Sequence, residues 1–406
     1  MPLWCRLFLL VVLALPAAAQ AQDRAALDRS FHQWIEQTVW ADAERAGISR
    51  GTFEAALGSL TPDYELPDLV LPGKKPGIPK QAEFRSPGSY LAESKLAPLI
   101  SGGQQMLSKW SRTLDAVERR YGVPREIVVA IWGRESAFGR VRPSSSAVRI
   151  LATQAFFGSR KALFYRELIA ALLVLEGDHI ALSDLKSSWA GAMGQPQFLP
   201  SKFLDFAVDF DGDGKRDIWN SVPDSLASIA NFLKGHGWKS GVAWGAEIAE
   251  ASAPSCTLEG PDQGAPLSVW TGRGARPASG RLPASLKDEA FLLMPAGTAG
   301  PAFLVSQNFY VLKSYNNSDL YALFIGQIAD RLRGGPPIKG GWASVGGFDR
   351  GDVQAMQLRL QKRGVNVGNP DGLVGFRTRV AVGNWQAANG IRQTCLPNAE
   401  QIGRVR

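Results

Sequence analysis

Residues Ile127 to Arg140 read IVVAIWGRESAFGR, an apolar run broken near its end by one acid, Glu135. On a helix the residues three, four and seven positions earlier share its face. For Glu135 these are Trp132, Ile131 and Val128. A carboxyl set among such side chains is poorly solvated, so its charged form is disfavoured and its pKa is expected to rise. A raised pKa suits general-acid work near neutral pH. The competing reading is a carboxylate at a helix end paired with Arg134 or Arg140, and this segment alone leaves both open. Pro124 is expected in the first turn of the helix and Gly139 at its end.

Helical spacing extends outward from this run. Before it, residues 24–60 alternate apolar and charged positions, with Phe31, Trp34, Ile35 and Val39 on one face. Residues 62–90 are rich in Pro and Gly and read as extended chain on the surface. Helical pattern returns at Leu96, dominates to Ile180, breaks into short pieces between Ala251 and Pro301, and resumes over Leu320–Leu332. Then follows RGGPPIKGG from Arg333, a linker by composition. Beyond it, Val353–Arg363 and Thr378–Asn389 read as short helices around the turn Asn369-Pro370-Asp371-Gly372. With 406 residues, 45% hydrophobic and 20% charged, the chain fits two or three globular domains. No internal repeat is visible.

The first residues point to export. Arg6, the apolar Leu7–Leu15 and Ala19-Gln20-Ala21 have the order of a cleaved secretory signal spanning residues 1–21, too short to cross a bilayer. Cys5 precedes the apolar run, so no lipid-anchoring cysteine stands at the cleavage point, and a soluble periplasmic protein without a membrane anchor is expected. Cys256 and Cys395 then remain. They could pair in an oxidising compartment or stay as buried thiols, the thiols being the preferred reading. With only three histidines there is no zinc pattern, and no phosphate loop or nucleophile elbow occurs. The net charge of +8 is scattered, and export argues against nucleic acid; an anionic wall polymer fits better.

Three further segments carry polar chemistry. Ser188-Trp-Ala-Gly-Ala-Met-Gly-Gln-Pro-Gln197-Phe-Leu-Pro200 offers neutral hydrogen-bonding groups on a Gly- and Ala-rich backbone, suited to sugar recognition or to a tight helix-turn contact. Asp209-Phe-Asp211-Gly-Asp213-Gly-Lys215-Arg-Asp217 begins like an EF-hand calcium loop, but position twelve is Asn220; Asp224 would close a longer loop. Carboxylates this dense repel without a cation, the alternative being an acidic surface turn. In Phe309–Tyr321, Tyr315, Asn316 and Tyr321 could close over a sugar or form ordinary aromatic core.

Glu135-Ser-Ala-Phe-Gly139, Gly191-Ala-Met-Gly-Gln-Pro-Gln-Phe198, the Asp-rich loop with Asp217-Ile-Trp219, and Tyr315-Asn316 stand in the order found in lytic murein transglycosylases of the B type, which residues 25–332 resemble. The resemblance implies a mainly α, lysozyme-like (α+β, helix-rich) domain over residues 22–333 that cleaves the MurNAc–GlcNAc bond of peptidoglycan strands. It makes Glu135 the acid/base and lines the sugar site with Ser188, Gln197, Tyr315, Asn316 and Tyr321. It also implies structural Ca2+, held in the 209–224 loop by Asp209, Asp211, Asp213, the Lys215 carbonyl and Asp224. Two features depart from it: Asp211 stands where relatives can carry a neutral ligand, and many relatives are lipid-anchored.

After a linker at 334–347, residues 348–406 carry Asp371-Gly-Leu-Val-Gly375-Phe-Arg-Thr378 and Trp385-Gln386, which resemble the small three-helix peptidoglycan-binding domain. Other cell-wall enzymes are candidate partners. The rival readings are a two-carboxylate muramidase, which hydrolyses, and a wall-binding protein in which Glu135 is structural.

Overall fold

The computed structural model describes residues 24–71, 87–250, 253–343 and 348–404. The expected signal peptide with Cys5, and most of the Pro/Gly-rich stretch, lie outside these residues. The described residues fall into two compact units, one within residues 24–71 and 141–225, the other within 87–140 and 226–404.

In the first unit, residues 24–45 are helical with a π-helical turn at Ile35–Val39, and bury Phe31, Ile35 and Val39. Helices Ala147–Phe157 and Lys161–Glu176 pack on each other, and Pro200–Phe206 packs on the second. The buried Glu167 takes the Ser201 N–H (2.9 Å) and hydroxyl (2.8 Å), placing an anion at the start of that short helix. Ser145–Ser146 and Lys186–Ser187 form a two-stranded antiparallel pairing.

In the second unit, the helix Arg125–Ser136 lies between Glu93–Lys109 and Asp319–Leu332. Ile127 to Trp132 are all buried, which accounts for the apolar run. Gly103 permits the close approach: a Cβ there would stand 2.9 Å from Leu332 and 3.4 Å from Val129. A three-stranded antiparallel sheet places Ala302–Val305 between Gly245–Ile248 and Phe291–Leu293. Near the chain end, Arg350–Lys362, Phe376–Ala388 and Ala399–Arg404 enclose a small core of Val353, Met356, Leu360, Val382 and Ile402. Asp349 and Asp352 form a reciprocal capping box at the first of these helices. The fold is mainly α with a helical C-terminal domain, as expected.

Three local expectations change. Part of the stretch read as extended is helix, Pro87–Tyr90, because Tyr90 is buried and draws the chain onto the core. Pro124 is the extended residue before the first turn (ψ 137°), where its missing N–H is equally harmless. Cys256 and Cys395 form a disulfide across 139 residues; both are buried in one apolar cluster with Trp270 and Leu292, which brings them together. The described part of the stretch expected as a linker bonds to its own unit. Glu247 accepts the Lys339 and Gly340 N–H groups (2.9 and 2.7 Å), and Ala343 N–H bonds to the Ala299 carbonyl (2.7 Å).

Candidate active site

The helix of Glu135 ends at Ser136, and the next residues run left-handed: Ala137 (φ 49°), Phe138 (φ 64°) and Gly139 (φ 75°). The glycine at the end is as expected, but Ala137 and Phe138 are strained positions for L side chains, each costing about 1–3 kcal/mol. Their surroundings impose them. The Phe138 ring is buried edge-on to Trp132, with centroids 5.5 Å apart. It fills a slot floored by Gly102 and Gly133, where an added Cβ would stand 2.6 Å from the ring. The Ser136 hydroxyl accepts the Gly139 N–H at 3.0 Å. This turn fixes the end of the helix and therefore the direction of Glu135.

Glu135 is half-buried. The Tyr321 hydroxyl donates to its Oε1 at 2.6 Å. Tyr321 is wholly buried, and Tyr315 lies parallel to it, 6.1 Å between centroids at 11°. Burial first, and then the Glu135 charge, hold both phenols well above their usual pKa, so they remain protonated donors. Asn317, left-handed at φ 52°, ends helix Gln307–Asn316, and the Ser318 hydroxyl accepts the Tyr321 N–H to start Asp319–Leu332. One short turn thus sets both tyrosines. Beside them, Arg134 donates to the Tyr90 hydroxyl (3.2 Å) and lies over the rings of Tyr90 and Phe324.

Tyr321 therefore departs from the expectation that its ring lines the sugar site. A ring without exposed surface cannot stack on a sugar; its hydroxyl instead bonds to the Glu135 carboxyl. Tyr315 is half-buried and Asn316 exposed, so both retain accessible surface. Phe138 and Tyr90 escaped sequence reading. The only signal for Phe138 was its place in Glu-Ser-Ala-Phe-Gly, and Tyr90 sits at the edge of a stretch read as extended.

Ser188 and Gln197 lie in the first unit. The Ser188 hydroxyl accepts the Ala190 and Ala192 N–H groups (3.3 and 3.2 Å), and Gln197, left-handed at φ 54°, donates through Nε2 to the Gly194 carbonyl (2.8 Å). Gln195 bonds to the Ile218 and Trp219 carbonyls, tying this loop to the segment after the acidic turn. Trp132, Trp219, Trp238 and Trp244 are core residues, whereas Trp189 is 40% exposed in the same loop.

In the acidic turn, ligand oxygens of Asp209, Asp211 and Asp213 lie within 4.8 Å of one another, a donor set that fits a hard divalent cation. Asp209 accepts the Gly212 and Gly214 N–H groups, and left-handed glycines at 212 (φ 81°) and 214 (φ 89°) permit that curl. Asp224 stands apart from the cluster. Its buried carboxylate takes the N–H groups of Phe210, Asp211 and Asp217, so it shapes the loop backbone. Burial raises its pKa against those donors.

A family model described as Transglycosylase SLT domain matches residues 30–330, and one described as Putative peptidoglycan binding domain matches residues 349–403. The chain is 36% identical over 228 residues to membrane-bound lytic murein transglycosylase B of Escherichia coli (strain K12). That alignment spans 55% of this chain and 62% of the relative's length. SltB3 from Pseudomonas aeruginosa, solved in complex with NAG-anhNAM-pentapeptide, superposes with a TM-score of 0.81 at 37% identity, covering 93% of this chain and 99% of that one. Slt35 of Escherichia coli, solved in complex with calcium, superposes with a TM-score of 0.53 at 30% identity, covering 62% and 80%. Among the described residues no helix is long and apolar enough to cross a membrane.

Proposed function

The chain belongs to the SLT-domain transglycosylase family, and from that premise we propose that it cleaves the β-1,4 bond between MurNAc and GlcNAc in peptidoglycan without water, leaving 1,6-anhydro-MurNAc ends, with Glu135 as the single acid/base. The carrying observation is the hydrogen bond from the wholly buried Tyr321 hydroxyl to Glu135 Oε1. With Oε1 committed as acceptor, the mobile proton belongs to Oε2. Glu135 gives that proton to the GlcNAc oxygen as its bond to MurNAc C1 breaks, while the substrate's acetamido group stabilises the positive centre. The resulting carboxylate takes the proton of the MurNAc C6 hydroxyl as O6 bonds to C1, and the acid is regenerated. Attack by a group already on the same sugar has a large effective-concentration advantage, so no second carboxylate is needed to activate water. The anhydro sugar bound to the SltB3 relative supports this product.

On this reading Ser188, Gln197, Tyr315 and Asn316 contact the glycan. Asp209, Asp211, Asp213 and the Lys215 carbonyl hold Ca2+, with Asp224 closing the loop, and the ion would supply rigidity rather than chemistry; the calcium-bound Slt35 relative supports the assignment. The division into signal 1–21, catalytic domain 22–333, linker 334–347 and wall-binding domain 348–406, with a periplasmic location, belongs to the same proposal. Digestion of purified sacculi by the mature protein and by Glu135→Gln, with the soluble fragments weighed by mass spectrometry, tests it. Fragments one water lighter than hydrolytic products, absent with the variant, are expected. Reducing-end fragments would instead establish a two-carboxylate hydrolase.

A further inference from the structure

The turn that sets Tyr315 and Tyr321 is itself held from outside. Tyr321 is the third residue of the helix Asp319–Leu332, and the backbone N–H groups of a first helical turn have no partners within the helix. The position of such a turn depends on what else binds it. The Ser318 hydroxyl takes the Tyr321 N–H at 3.2 Å. A second tie is Asp319, which uses both carboxylate oxygens: Oδ1 meets Lys313 Nζ at 2.8 Å, and Oδ2 meets the Arg379 guanidinium at 3.5 Å. Lys313 lies in the last turn of the preceding helix, Gln307–Asn316, so one arm closes the turn on itself. The other arm comes from the C-terminal helices.

Arg379 is buried on the helix Phe376–Ala388, and its main partner Glu259 is buried too. Its guanidinium meets both Glu259 oxygens, Nε to Oε2 at 2.8 Å and Nη2 to Oε1 at 2.5 Å, and its Nη1 donates to the Val374 carbonyl at 2.7 Å. A planar fork bound through all three nitrogens holds one orientation. The helix that carries it is fixed in turn. Phe376 lies so close to Gly260 that an added Cβ would stand 2.5 Å from its ring, and Cys395 is joined to Cys256. Lys313 also lies 6.0 Å from the Phe376 ring centre, so this one helix meets both Asp319 and its other partner. The Arg379 and Asp319 side chains are only 4% and 15% exposed, which limits screening of the pair by salt.

We propose that Arg379 is a positioning residue for the reaction: through Asp319 it fixes the first turn of Asp319–Leu332, and thereby the Tyr321 hydroxyl against Glu135 Oε1. This rests on the proposed function and deepens it, because the C-terminal helices become part of the apparatus that aims the acid.

Steady-state kinetics of the full-length chain on soluble, uncross-linked glycan strands test this. Asp319→Asn keeps the shape and removes the charge. Arg379→Lys keeps a cation for Glu259 but lacks the fork that also reaches Asp319. Each should lower kcat about 3–10-fold, the scale of coupling between residues in contact, with KM nearly unchanged. Asp319→Glu, which restores the charge, should recover part of the loss. In a Tyr321→Phe background neither substitution should have a further effect, because the hydrogen bond through which they act is gone. Circular dichroism melts check that each variant is folded at the assay temperature, and either one decides the matter if the other is not. An unchanged kcat, a rise in KM alone, or the same fractional loss with and without the Tyr321 hydroxyl would overturn the positioning role and leave the transglycosylase reading intact. Products carrying added water from the parent chain would overturn that reading, and this role with it.

Discussion

At the scale of single residues, the site depends on how a carboxyl is held. Glu135→Gln keeps the shape and removes the proton, so turnover of sacculi should fall by about 10²–10⁴-fold, the usual worth of a positioned acid/base. Tyr321→Phe is more discriminating. The phenol touches Oε1 from a position without solvent access, so its loss should lower kcat about 10–100-fold, the scale of one hydrogen bond to a charged group, with KM nearly unchanged. A rise in KM at constant kcat would make Tyr321 a substrate contact and defeat the positioning role. Glu135 stood out as a candidate because the clue is local: one acid in an apolar helical run. The contact of Tyr321 with Glu135 was not legible. Every residue from Leu320 to Ala329 is buried, so that helix has no polar face from which to read which way a side chain points.

At the scale of elements, the acidic loop and the helix Asp319–Leu332 each carry a prediction. Ca2+ binding should stabilise chelator-treated protein by RT ln(1 + [Ca2+]/Kd), about 2.7 kcal/mol at a hundredfold excess over Kd, and raise its melting temperature. Calorimetry that shows neither heat nor a shifted melt would remove the metal. In the helix, Asp330 accepts the Trp244 indole N–H at 3.0 Å. Burial lifts its carboxyl from the usual 3.8 to about 6, against that hydrogen bond and the nearby Arg333. A raised folded pKa means that the folded state binds the proton more tightly than the unfolded chain. This stabilisation is full below pH 3.8 and is lost as pH rises through about 6. Asp330→Asn should therefore match the parent near pH 4 and exceed it by about 1–3 kcal/mol at pH 7.5 in denaturant unfolding. Equal differences at both pH values would show that Asp330 does not titrate in this window.

At the scale of the whole molecule, the helix-rich class and the helical end domain were legible from periodicity, and the acidic loop from spacing. What escaped was long-range attachment. Cys256 and Cys395 are 139 residues apart, and no local pattern signals their meeting. The Gly-rich stretch after Arg333 read as a linker by composition, and composition does not show what it touches: a missing Cβ also lets chains meet, as where Gly300 meets Trp342. This attachment changes what removing the end domain would do. A chain ending before residue 349 loses Arg379 and strips Glu259 of its ion-pair partner, with the Met294 N–H still bonded to it. Orphaning one member of a buried pair costs about 3–5 kcal/mol, and loss of the disulfide about 2–5 kcal/mol more. Set against a typical total stability of about 5–15 kcal/mol, the truncated chain should melt far below the parent and lose activity through unfolding. Glu259→Gln in the truncated chain removes the unpaired charge yet can still accept the Met294 N–H, so it should recover part of the lost melting temperature, while in the full chain the same change should destabilise by taking from the buried Arg379 its shorter ion pair and leaving it Asp319 alone as an anionic partner. That reversal of sign is specific to a charge pair; a substitution that destabilised both chains equally would assign the attachment to packing alone.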